Sequence, residues 1–143
     1  MQCDPVSLEI IRGAARAAQA EMEALLERTA MSAFIREKKD FYTSIFDADG
    51  AMAVGSDLPI FGDIVGPVTA RYPLESMRPG DLYWYNDCYG SRGAVSHSND
   101  QVFLAPVFLG ATRVGFVMGW AHFSDIGGLR PGSLSPDATD HFQ

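Results

Sequence analysis

Two short segments carry the groups best suited to chemistry. His97 lies in Ser96-His97-Ser98-Asn99-Asp100 and His122 in Ala121-His122-Phe123-Ser124-Asp125, so both histidines read His-x-x-Asp. Two neutral imidazoles and a carboxylate on one side of a cation form a facial triad, with positions left open for water or substrate. A second carboxylate can fix a histidine tautomer from behind. The competing reading is that both histidines are loop residues satisfied by ordinary hydrogen bonds, since His-x-x-Asp is short and common. Asn86-Asp87 is a further polar pair, read either as a ligand contact or as a turn cap. Other chemistries lack their residues. Gly110 to Gly115 has no lysine or serine at phosphate-loop spacing, and there is no Gly-x-Ser-x-Gly elbow. Cys88 has only Arg92 as a nearby cation, which does not support an activated thiolate.

The chain between the two histidines is what would bring them together. Val102 to Leu109 reads as an apolar strand, Gly110-Ala111-Thr112 as its turn, and Arg113 to Trp120 as the returning strand. An antiparallel hairpin brings the chain back to where it started, so the segments before Gln101 and after Trp120 should be neighbours. That places two imidazoles, and Asp100 and Asp125, within reach of one point. Weak alternation and high apolar content predict a hairpin buried on both faces.

The remaining elements frame this hairpin. Asp4 suits an N-cap and Pro5 a first helical position. Leu8, Ile11, Ala15, Ala18, Met22 and Leu25 then recur at helical spacing, which predicts an amphipathic helix with that face buried. Ile35 to Asp40 is a mixed charge run of the kind that forms a solvated face. Phe41 to Phe46 reads as a strand, Asp47 to Gly50 as a turn and Ala51 to Val54 as a returning strand. A short helix is expected within Gly62 to Tyr72, although Gly66-Pro67 argues for a break near its start. Arg78-Pro79-Gly80-Asp81 is a turn, and Leu82 to Tyr85 a short strand. Ser135 to Ala138 resembles an N-cap and first helical turn. The fold class expected is α+β: a long N-terminal helix packed on β-hairpins of a mixed or antiparallel sheet.

Composition narrows the function classes. The 143 residues are 47% hydrophobic and 20% charged, as in a folded globular domain. A formal charge of -7 repels phosphate backbones and anionic lipid, which argues against nucleic-acid and membrane partners. No apolar run approaches the roughly 18 residues that span a bilayer. The first residues, Met1-Gln2-Cys3-Asp4-Pro5, lack the basic and apolar regions of a signal peptide, so a cytoplasmic location is expected. A Cys3–Cys88 disulfide is conceivable, but two cysteines without a signal peptide do not make a secreted framework. Neither cysteine sits in a Cys-x-x-Cys pair of the thiolate zinc type.

An ordered set of motifs then points further. Asp4-Pro5-Val6-Ser7-Leu8-Glu9-Ile10-Ile11-Arg12, Ile35 to Phe41, Phe46-Asp47-Ala48-Asp49-Gly50, Arg78 to Asp81 and Asn86-Asp87 with Tyr89-Gly90 resemble motifs of the hydantoinase B family. So do His97 to Asp100, Ala121 to Gly128 and Pro131 to Thr139 with Phe142-Gln143. That family takes in 5-oxoprolinases and the alpha subunits of acetone-type carboxylases. The chain departs from it at Cys88, where proline is usual, in a longer Gly90–Ser96 segment, and at Lys38 and Lys39 in place of arginines.

The resemblance implies one part of an ATP-dependent enzyme, with residues 1–143 as the N-terminal part of a longer hydantoinase B-like domain. A hydantoinase A-like partner would bind and cleave ATP, giving a hetero-oligomer that opens a small cyclic amide or, in the other branch, carboxylates a ketone. His97, Asp100 and His122 match the family's metal ligands, for manganese, zinc or iron. Asp125 would be a supporting or substitute ligand. Asp87 and Asp125 are the two carboxylates with a family-like placement for a general base. A non-catalytic assembly module and a free-standing metallohydrolase are the remaining alternatives.

Overall fold

The computed structural model describes residues 4–56 and 62–140. Cys3, and with it the disulfide reading, lies outside them, as does Phe142-Gln143. The order of elements is helix α1 (Pro5–Thr29), helix α2 (Ala33–Arg36), strands β1 (Phe41–Asp47) and β2 (Met52–Gly55) and helix α3 (Gly66–Thr69). A single 3-10 turn (Leu74–Ser76) follows, then β3 (Tyr83–Tyr85), β4 (Asp100–Leu109) and β5 (Thr112–His122). The strands form one antiparallel sheet in the order β2-β1-β5-β4-β3. This is the α+β architecture expected, with the sheet antiparallel throughout.

Side chains alternate across a strand, so register decides the core. Tyr42 and Phe46 of β1, Val102 and Leu104 of β4, and Phe116 and Met118 of β5 share one face. They form the main buried cluster with Ile64, Val65, Val68, Met77 and Val95 from the segments between β2 and β4. Pro67 sits in the first turn of α3, where its missing N–H costs nothing, so Gly66-Pro67 opens that helix. The opposite face carries a smaller cluster of Ile35, Phe41 and Ala121, with Leu26, Ala30 and Phe123 against it.

Three expectations are corrected here. The β4–β5 hairpin is fully buried on one face only; Phe103, Ala105, Val117 and Gly119 on the other are half-covered. The apolar face proposed for α1 is covered only in part: Ala15 and Met22 are half-buried, while Leu8, Ile11 and Leu25 are 49%, 60% and 51% exposed. The helix rests on a stripe rotated from that face, in which Gln19, Glu23 and Leu26 join Ala15 and Met22. The reason is polar. Gln19 Nε2 donates to Glu23 (2.8 Å) and reaches Thr43 Oγ1 and Ser56 Oγ (3.3 Å each), and Ser56 Oγ donates to Glu23 Oε1. Finally, Ser135 to Ala138 makes one hydrogen-bonded turn (3.3 Å) and no helix. Asp4 does cap α1 as expected, its Oδ1 accepting from the backbone of Val6 (3.1 Å) and Ser7 (3.0 Å).

Candidate metal centre

The site is built on the last rung of the central ladder. Asp100 opens β4 and His122 closes β5, and the two are direct cross-strand partners. They are strand residues rather than loop residues, because the ladder runs two positions beyond the apolar stretch at each end. His122 is also tied to the other side, its N–H donating to the Asp40 carbonyl at 3.0 Å. His97 arrives by a tight turn that the Asp100 N–H closes by donating to the His97 carbonyl at 3.0 Å. Asn99 fastens that turn to the exit of β5: Phe123 N–H donates to Asn99 O (2.8 Å), and Asn99 Nδ2 donates to Phe123 O (2.6 Å).

Three side-chain atoms therefore converge. His97 Nε2 is 3.2 Å from His122 Nδ1 and 3.1 Å from Asp100 Oδ1, and His122 Nδ1 is 2.9 Å from Asp100 Oδ1. The Asp100 and His122 side chains are 4% and 10% exposed, and that of His97 36%. The rings meet edge to face, 5.0 Å between centroids at 83°.

The triangle can be tested against a cation. With bonds of about 2.1 Å, ligands at right angles stand about 3.0 Å apart and tetrahedral ligands about 3.4 Å. The observed edges of 2.9, 3.1 and 3.2 Å match the right-angled, facial arrangement. Two imidazoles and one carboxylate are also a donor set suited to manganese, iron or zinc. A proton on each imidazole, donated to Asp100 Oδ1, would span the same two contacts in a cluster without a cation.

The other two carboxylates singled out in the sequence do not join this cluster. Asp87 Oδ1 accepts from Tyr89 N–H at 2.9 Å, a turn cap. The backbone N–H groups of Gly90 and Tyr89 hold its carboxyl below the usual range. Asp125 Oδ1 caps a turn too, accepting from Gly127 N–H at 2.8 Å. It lines a largely apolar cavity of about 440 Å³ with Leu26, Ile35 and Phe123. Beside His97 opens a cleft of about 690 Å³ whose walls include Cys88, Ser98 and Gly128. Asn86 supports the rim of that cleft, Nδ2 donating to Ser98 O at 2.8 Å. Sequence reasoning missed Ser96, whose hydroxyl donates to Asp100 Oδ2 at 3.1 Å, and Phe34, whose ring lies 5.7 Å from that of His122. Phe34 carried no signal, because its approach depends on how α2 docks. Ser96 carried a weak one, a hydroxyl four residues before a carboxylate.

Comparison with known proteins decides the family. The family model for hydantoinase B/oxoprolinase matches residues 4–143. The chain belongs to the hydantoinase B/oxoprolinase family. Among relatives of this hydantoinase B-type chain, the caprolactamase subunit beta of Pseudomonas jessenii is 32% identical over 141 residues, 96% of this chain and 24% of that protein. The crystal structure of the ATP-dependent caprolactamase from Pseudomonas jessenii superposes with a TM-score of 0.75 at 28% identity, over 92% of this chain and 23% of the other. A nucleotide-free acetone carboxylase structure shares the fold, with a TM-score of 0.72 at 18% identity over 91% and 18% of the two chains. The hydantoinase B-type chain thus spans about a quarter or less of the length of these relatives. No helix among its described residues is long and apolar enough to cross a membrane.

Proposed function

We propose that this chain is the N-terminal part of a hydantoinase B-type subunit and carries its divalent metal centre on His97, Asp100 and His122. The intact enzyme would open small cyclic amides at the expense of ATP, which a hydantoinase A-like partner subunit binds and cleaves. The observation that carries this reading is the triangle of His97 Nε2, His122 Nδ1 and Asp100 Oδ1, with edges near 3 Å. A cation held there would polarise a carbonyl oxygen toward attack.

The chain's own groups divide the remaining work. Asp100 and His122 are set by the strand ladder, so two ligands are in place once the sheet forms. His97, more exposed than His122, faces the cleft through which a substrate would enter. Asp125 and Asp87 are proposed as proton acceptors. Each accepts a turn N–H on one oxygen, from Gly127 and Tyr89 respectively, which fixes the direction of the carboxylate.

A second reading, an alpha-type subunit of an acetone- or acetophenone-type carboxylase, is supported by the shared fold and by an acetophenone carboxylase delta subunit 29% identical over 109 residues. Amide opening stands ahead because the higher identities, 32% in sequence and 28% in structure, are to a caprolactamase. A non-catalytic assembly module is the remaining alternative.

The test uses the intact protein with its partner. We expect about one equivalent of manganese, iron or zinc by elemental analysis, lost in His97→Ala and in His122→Ala. ATP consumption should depend on a lactam, hydantoin or 5-oxoproline and not on acetone. A protein without bound metal whose turnover survives both substitutions would overturn the metal centre; acetone-dependent bicarbonate fixation would replace the amide reading with the carboxylase one.

A further inference from the structure

Asp100 has two carboxylate oxygens, and the structure gives them different work. Oδ1 faces both imidazoles, at 2.9 Å from His122 Nδ1 and 3.1 Å from His97 Nε2. Oδ2 accepts the Ser96 hydroxyl at 3.1 Å. The Asp100 side chain is only 4% exposed, so solvent has little access to replace that donor. A buried carboxylate with one oxygen unsatisfied rotates to find a partner, and here rotation would carry Oδ1 out of the triangle.

We propose that Ser96 is a positioning residue for the triad: by holding Oδ2 it aims Oδ1 of Asp100 at the two histidines and leaves that oxygen alone to meet a cation. This rests on the metal reading of the same three residues and adds a residue that touches none of the reacting atoms. Two features of the chain favour it. Ser96 and His97 are adjacent, and the 97–100 turn is closed by the Asp100 N–H, so one short loop supplies a ligand, the aspartate and the clamp on the aspartate. Ser96 itself lies exposed at the cleft wall, so its hydroxyl is available for this contact without belonging to the core.

Partners that orient a ligand from behind typically change metal affinity about 10- to 100-fold when removed. The experiment is a Mn²⁺ titration of the intact, metal-stripped protein, followed by electron paramagnetic resonance of free Mn²⁺, alongside thermal unfolding of the metal-free form. Ser96→Ala should weaken Mn²⁺ binding by about 10- to 100-fold. Ser96→Thr, which keeps the hydroxyl, should restore most of the affinity. The metal-free unfolding temperature should be the same in all three proteins, which a merely structural role would not produce. Wild-type binding with an unchanged affinity in Ser96→Ala overturns the positioning role and leaves the metal centre standing. Failure of the wild-type protein to bind Mn²⁺, Fe²⁺ or Zn²⁺ overturns the metal centre and the positioning role with it.

Discussion

Asp87 shows how one carboxylate is claimed by its own loop. Its pKa is lowered by the backbone N–H groups of Gly90 and then Tyr89, and the side chain is exposed. A carboxyl whose folded-state pKa lies below its unfolded value near 3.8 contributes stability above that value and loses it as pH falls through the folded pKa. Asp87→Asn should therefore loosen the 87–91 loop at pH 7, seen as faster proteolysis there, and the difference from wild type should vanish once pH falls below the folded-state pKa of Asp87. Equal proteolysis at neutral pH would remove the cap from the account. At this scale the sequence was informative where residue type alone implies a partner. Histidine and aspartate at fixed spacing pointed to His97, Asp100 and His122, which the fold brings together, and Asp87 accepts a turn N–H as a cap would. Ser96 and Phe34 were illegible because a hydroxyl and a phenyl ring acquire meaning only from what the fold places beside them.

The elements explain why the central hairpin was easy to read and the first helix was not. Strand register follows from period-two burial, and Val102, Leu104, Phe116 and Met118 announce it. Apolar content overstated burial on the second face, because cover there depends on where α1 lands. The landing is set by Gln19 and Glu23 meeting Thr43 and Ser56, a polar contact that hydrophobic periodicity cannot reveal. The sheet edge offers a test of its own. Tyr85 of β3 donates to the Ile64 carbonyl at 2.8 Å, and burial pushes its phenol pKa up. A raised folded-state pKa gives stability that is complete below the unfolded value near 10 and declines above it. Tyr85→Phe should lower stability at pH 7 by about 1 kcal/mol through the lost hydrogen bond. Its denaturation midpoint should fall less than the wild-type midpoint between pH 9 and pH 11. Parallel decline of the two proteins would show that Tyr85 ionisation plays no part.

At the scale of the whole molecule, the chain is a sheet covered well on one side and thinly on the other. Leu8, Ile11 and Leu25 stand exposed on α1, and the chain spans 24% of a relative's length. The family assignment was legible because many modest motifs occur in order, while no single one of them would have sufficed. The position of the ladder's last rung has a kinetic consequence. β5 is the middle strand of five, and its final residue has neighbours on both sides: the His122 amide is sealed against Asp40 while Asp100 pairs across from it. Amides so placed open only with the sheet itself. In deuterium exchange the His122 amide should trade its proton as slowly as that of Met118 in mid-strand, and far more slowly than those of residues 126–130. Two of the three converging groups would then outlast every partial opening of the loops around them.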